Sequence, residues 1–191
     1  MNRRDALSRV ALILGGTVVG ANAFLEGCTP SDKKTSDTNP AFAPDDIAYL
    51  DEVAETIIPA TNTPGAKAAK VGAFMTVMVN DCYTEDDQKI FKAGMQKLDE
   101  ASRQKNSKSF MDSSPDQRKA LLTDIDKEAK EYAKTAKSDD PKHYFRMMKE
   151  LTLLGYFTSE PGATQALRYV PVPGKYEGCI DYKKGDRAWA L

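Results

Sequence analysis

The chain has 191 residues, with 27 Lys and Arg against 28 Asp and Glu, one histidine, three cysteines and a formal net charge of −1 at pH 7. A near-neutral balance of mixed signs with no basic stripe leaves nothing to neutralise phosphates, which argues against nucleic-acid binding. One histidine, no C-x-x-C, no H-E-x-x-H, no calcium-loop spacing and no C-x-x-C-H remove the common zinc, calcium and haem sites.

Residues 1–27 read as a targeting segment and are kept out of the fold. Asn2-Arg3-Arg4-Asp5-Ala6-Leu7 is a twin-arginine pattern, with Arg3 and Arg4 as the export signal. The apolar run from Val10 to Phe24 is broken by three glycines and is shorter than the roughly 20 residues a membrane span needs. It ends in Leu25-Glu26-Gly27-Cys28, a lipoprotein-type cleavage box in which Cys28 carries the lipid, although Glu26 is an unusual residue there. A cleaved soluble protein and an uncleaved anchor are the alternatives. Gly15-Gly16-Thr17-Val18-Val19-Gly20 has the wrong spacing for a dinucleotide loop and no strand before it. Residues 28–44 are polar and rich in Pro, Ser and Thr, a tether with nothing to bury.

From residue 45 to the end the sequence predicts one helical domain. Pro44-Asp45-Asp46 opens a helix whose apolar face is Ile47, Leu50, Val53, Ala54 and Ile57, stopping at Pro59. A turn-rich loop from Pro59 to Ala66 follows. Val71, Phe74, Met75, Met78, Val79 and Cys82 line one side of a second helix. Thr84 with Asp87 resembles a capping box for a third, which turns Ile90, Phe91, Met95 and Leu98 inward. Gly94 in that stripe costs about 1 kcal/mol relative to alanine, so a close helix crossing is expected there.

Ser114-Pro115-x-Gln117 starts a fourth helix with Leu121, Leu122, Ile125, Ala129 and Tyr132, and the charge pattern from Asp124 to Lys137 reads as its solvated face. Ser138-Asp139-Asp140-Pro141 is the expected start of a fifth, carrying Phe145, Met148, Leu151 and Thr152 down to Gly155 as its C′ residue. Thr158 or Ser159 then caps a short sixth, with Pro161 in its first turn. After Leu167 no helical period survives, and Pro171 and Pro173 impose extended backbone on their predecessors. The expectation is an all-α bundle of five to six helices with an irregular Pro/Gly/aromatic C-terminal wrap.

No nucleophile–base pair, metal cluster or cofactor loop is visible. His143, beside Tyr144 and Phe145, reads as a partly buried residue or a partner contact rather than a catalyst. The paired acids at Asp45-Asp46, Asp86-Asp87 and Asp139-Asp140 suit helix N-termini, where the dipole stabilises carboxylates. Cys82 and Cys179 remain once Cys28 is lipidated. In an oxidising compartment they are expected as a disulfide, worth about 4–5 kcal/mol in the chain-entropy model, with two separate buried thiols as the alternative.

Three motifs carry a resemblance. Leu-Thr-x-x-Gly-Tyr-Phe-Thr-Ser-Glu-x-Gly (Leu151 to Gly162), Val-Pro-Gly-x-Tyr-x-Gly-Cys (Val172 to Cys179) and Ala188-Trp189 resemble the end of the gluconate 2-dehydrogenase subunit 3 family, with a weaker likeness back to about Asp45. The resemblance implies a non-catalytic small subunit of a membrane-bound, FAD-dependent sugar or sugar-acid dehydrogenase. FAD would then sit not in this chain but in a large partner of the glucose–methanol–choline oxidoreductase type, with a cytochrome c as a further electron acceptor. It places the protein in the periplasm, held to the membrane by its lipid. Tyr156, Phe157, Arg168, Tyr169, Tyr176 and Trp189 are the expected partner contacts, since aromatics and arginine dominate interface hot spots, with ordinary packing on the bundle as the alternative for each. The alternative is a stand-alone exported lipoprotein that binds a carbohydrate or envelope component.

Overall fold

A computed structural model of the chain describes residues 42–137, 140–172, 174–175, 178–181 and 183–190. Arg3, Arg4, Cys28 and Tyr176 lie outside the described residues. Five α-helices follow in order: α1 Pro44–Ile57, α2 Val71–Cys82, α3 Glu85–Asn106, α4 Pro115–Thr135 and α5 Tyr144–Thr158, then a π-helical turn, Gly162–Ala166. Among the described residues there is no strand, and the β pairing is an isolated parallel bridge between Arg168 and Trp189. The all-α expectation holds.

The helix starts follow local chemistry. Asp46 accepts the Ala43 N–H at 2.9 Å at the head of α1. Thr84 caps α3 by accepting the Asp87 N–H, and Ser114 and Gln117 form the reciprocal capping box of α4 with Pro115 in its first turn. The head of α2 is different, because Lys70 offers no side-chain cap and sits in the left-handed region at φ 55°. Asp51 reaches across from α1 instead and accepts the Gly72 N–H at 2.7 Å.

α5 starts later than expected. Its cap is His143, whose Nδ1 accepts the Phe145 N–H at 3.3 Å. Asp140 belongs to the preceding turn, where its carboxylate accepts the Lys137 N–H at 2.8 Å, so it lies just ahead of the helix, as expected. Ser138 and Asp139 lie outside the described residues.

α5 packs against all four other helices and the π turn, so the core is built around it. Leu50, Val53, Val71, Met75, Val79, Phe91, Leu98 and Met148 are fully buried, and Phe145 nearly so. Each such side chain contributes about 1.5–3 kcal/mol of transfer free energy. Two glycines set the crossings. A Cβ on Gly94 would lie 2.4 Å from the Tyr144 Cβ, and one on Gly155 would lie 2.6 Å from the Phe74 ring. Gly94 therefore has the role its place in the stripe implies. Gly155 does not: it is a packing residue in mid-helix, and α5 runs on to Thr158. Ser159 then turns the chain, its hydroxyl donating to the Tyr156 carbonyl and accepting the Gly162 N–H.

One side chain departs from its expected place, and one core residue lies outside the expected stripes. Cys82 ends α2 exposed, while Gly72 and Thr76 occupy the buried side with Val71, Met75 and Val79. Phe110, in the α3–α4 connection, is fully buried although no periodicity marks it. Asp99 accepts its N–H at 2.8 Å and Arg118 donates to its carbonyl at 2.9 Å, which satisfies a backbone that burial would otherwise penalise. Arg118 also pairs with Glu52, as does Lys67, tying α4 and the 59–70 connection to α1.

Candidate functional site

The turn-rich loop after α1 is fixed from beneath. Glu55 accepts the Ala60 and Lys67 N–H groups, both at 2.8 Å, and the Tyr156 hydroxyl donates to the Pro64 carbonyl at 2.6 Å. Hydrogen bonds from Lys67 in the first place, aided by Arg118, hold the Glu52 carboxyl below its ordinary value. Tyr156 is 2 % exposed, so its work is this internal contact and it presents no surface to a partner. Its neighbour Phe157 turns the other way, 40 % exposed, with its ring edge-on to Tyr156 at 5.2 Å.

Phe157 is not alone. Leu153 and Leu154, on the same outer side of α5, are 41 % and 46 % exposed, and Val77 of α2 is 56 % exposed. Val77 lies one turn beyond Phe74, the residue that meets Gly155. The sequence reading passed over all three. Their signal was present: in Leu151-Thr152-Leu153-Leu154, four consecutive residues cannot all face one core at 100° per residue, so some apolar groups must face out.

The tail leaves the π turn and returns to it. The Arg168 N–H donates to the Ala188 carbonyl at 2.8 Å, and the Ala190 N–H donates back to the Arg168 carbonyl at 3.1 Å. The Arg168 guanidinium stacks on Trp189 at 3.9 Å, and Arg187 donates to the Gln165 carbonyl at the end of the turn. Trp189, Tyr169 and Val170 stay exposed around this point. The structure thus brings Arg168 and Trp189 together and leaves Tyr169 free beside them.

The tail is not held by a disulfide. Cys82 and Cys179 are both free and both exposed, so neither the expected bridge nor the buried-thiol alternative is formed. The Arg168–Ala190 pairing and the Arg187 cap do the fastening instead.

Elsewhere the polar groups are already engaged. An open groove of about 700 Å³ between α1 and α3 is lined by Tyr49, Met95, Asp99 and Met111. Its Tyr49 hydroxyl donates to the Met95 carbonyl, and Asp99 serves Phe110 and Arg103. Burial, with Asp99 nearby, pushes the Tyr49 phenol well above its ordinary value. A second hollow of about 480 Å³ is lined by Tyr132, His143 and Tyr144, and burial moves the Tyr144 phenol up to about 12. Burial lowers the His143 pKa below its ordinary value, against the opposing pull of Glu128 at 3.9 Å. Among the described residues no three His, Cys, Asp or Glu side chains gather to hold a metal, and no helix is long and apolar enough to cross a membrane.

Against known proteins, residues 44–174 match the model of the gluconate 2-dehydrogenase subunit 3 family, and the chain belongs to that family. The match spans all five helices, the π turn and the first part of the tail, and stops short of Trp189. No curated protein and no solved structure matches the chain.

Proposed function

We propose that this member of the gluconate 2-dehydrogenase subunit 3 family is the non-catalytic small subunit of a periplasmic, FAD-dependent dehydrogenase acting on a sugar, a sugar acid or a glycoside. The observation that carries the reading is the family match across the helical domain, which makes the chain one subunit of a multi-subunit dehydrogenase. The exposed apolar groups at the end of α5 and in the tail supply it with surface to spend on a partner.

In this reading a large flavoprotein of the glucose–methanol–choline type holds FAD and performs the oxidation, and a cytochrome c takes the electrons. This chain carries Arg3 and Arg4 as the twin-arginine signal, which exports folded proteins, so a bound flavoprotein crosses with it. Lipid on Cys28 anchors the assembly, since two or more acyl chains give stable attachment where one does not. Phe157, Tyr169 and Trp189 stacked on Arg168 form a clamp on the partner, with Tyr176 assigned to it from sequence alone.

The test is purification of the tagged full chain from its host's membranes. A large flavin-bearing chain is expected to accompany it, and Cys28→Ser is expected to move both into the soluble fraction. Recovery of this chain alone, or saturable carbohydrate binding by it without a flavoprotein, overturns the proposal.

A further inference from the structure

Resting on the subunit reading above, we infer that the outer face of the second half of α5, made by Leu153, Leu154 and Phe157, is the primary surface on which the catalytic flavoprotein subunit docks, through an apolar patch of its own. The tail aromatics are secondary to it.

The first ground is burial. α5 is the helix every other element packs on, and its inward side is filled by Leu151, Thr152, Gly155 and Tyr156. Nothing in the bundle needs large apolar groups on the opposite side, yet Leu153, Leu154 and Phe157 are 41 %, 46 % and 40 % exposed there. Water-facing positions of a helix ordinarily carry polar side chains, so an apolar outer face on a central helix calls for a cover.

The second ground is charge. Leu151 to Ser159 holds no carboxylate, amine or guanidinium in nine residues. The nearest cations upstream, Arg146 and Lys149, are paired with Glu150 and Asp126 at 2.8 and 2.6 Å. A lipid surface is met by apolar groups flanked with free Lys or Arg, whereas this face is flanked along the chain by the carboxylates of Glu150 and Glu160. Between Glu150 and Glu160 the face carries no charge of its own, so its complement is an apolar protein patch.

The third ground is rigidity and position. The close α2–α5 and α3–α5 approaches at Gly155 and Gly94 hold this face in place, so docking costs little ordering, whereas the tail returns through two backbone hydrogen bonds around Arg168. The family match takes in the whole of α5.

The experiment compares tagged full-length chains expressed in the host: wild type, Leu154→Glu, Phe157→Glu and Trp189→Ala. Each is checked for helicity by circular dichroism, and Leu154→Gln and Phe157→Asn replace any glutamate variant that loses it. Wild type is expected to bring down flavin. The α5 variants are expected to lose at least about tenfold of it, as truncation or desolvation of a hot spot does, and Trp189→Ala at most about twofold. Flavin recovery from the α5 variants equal to wild type overturns the inference while leaving the subunit reading intact. So does a wild-type homodimer that the α5 variants dissolve with flavin recovery unchanged, because a second copy would then be the occupant. Failure of wild type itself to bring down flavin overturns the subunit reading, and this inference with it.

Discussion

The outer faces of α3 and α4 and the outer face of α5 are built from different chemistry. On α3 and α4, Lys89–Asp86, Arg103–Asp99, Lys130–Asp126 and Lys134–Glu131 pair along the helix, with Lys105–Asp124 joining the two helices. Such exposed pairs are worth about 0–1 kcal/mol each and serve mainly to keep the surface wet. On α5 this pattern stops after Arg146–Glu150, and in the second half the same class of position holds Leu153, Leu154 and Phe157. Each of the three helices already buries its own apolar residues on the inner side, Phe91 and Leu98 on α3, Leu121, Leu122 and Ile125 on α4 and Phe145, Met148 and Leu151 on α5, so the core does not need the outer apolar groups. In the docking reading proposed above, the contrast marks where the molecule faces solvent and where it faces a partner.

The comparison can be pressed hardest at the core, which both regions share. Phe110→Ala is expected to cost about 3–5 kcal/mol, measured by chemical denaturation, because the ring is fully buried and its loop is hydrogen-bonded in place. A cost under about 1 kcal/mol would show that the α3–α4 connection is not part of the core. Gly94→Ala is expected to cost about 1–3 kcal/mol despite its better helix propensity, since the new methyl meets Tyr144. A stabilised G94A protein would mean that α3 and α5 can part easily and that the α5 face is less rigid than argued.

The start of α5 offers a milder lever. His143 caps the helix as a neutral imidazole, faced by Glu128 and Tyr132 of α4, Tyr144 of α5 and, at longer range, Lys97 of α3. Its folded pKa lies below 6.5, so the unfolded chain binds the extra proton first. The stability it contributes is present above about 6.5 and is lost as the pH falls towards the folded value. His143→Asn, a cap that does not titrate, is expected to flatten the melting-temperature profile below about pH 6.5; identical slopes in both proteins would show that the His143 cap does not set this pH dependence. Glu52, held low by Lys67 and Arg118, acts in a separate window, its contribution present above about 4.5 and lost below it. The smallest effect belongs to the charged face: Lys134→Ala is expected to change stability by less than about 0.5 kcal/mol, because both partners are well exposed.

What could be read from the sequence was local. Thr84, Ser114 and Pro44 mark helix starts because capping is decided within four residues. The inward stripes of α1 to α4 follow from a period of 3.6. His143 escaped as the α5 cap because imidazole is an uncommon cap and Asp140 and Pro141 look like a better start. In sequence a C′ glycine and a crossing glycine are the same letter, and only the Phe74 ring shows that Gly155 is the second kind. Phe110 and the Cys82–Cys179 pair depend on which distant segments meet, and one-dimensional patterning does not carry that. Of the partner contacts chosen from sequence, Phe157, Tyr169 and Trp189 are exposed and Tyr156 is not, a difference set by one step of 100° around α5. Leu153 and Leu154 were missed because leucine on a helix is read first as core.

Hydroxyl-radical footprinting of the free chain and of the purified complex puts the central claim to the most direct test. Leu153, Leu154 and Phe157 are expected to lose most of their reactivity in the complex while side chains on the outer faces of α3 and α4 keep theirs. Unchanged reactivity at Leu154 and Phe157, with protection falling on α3 and α4 instead, would contradict the account.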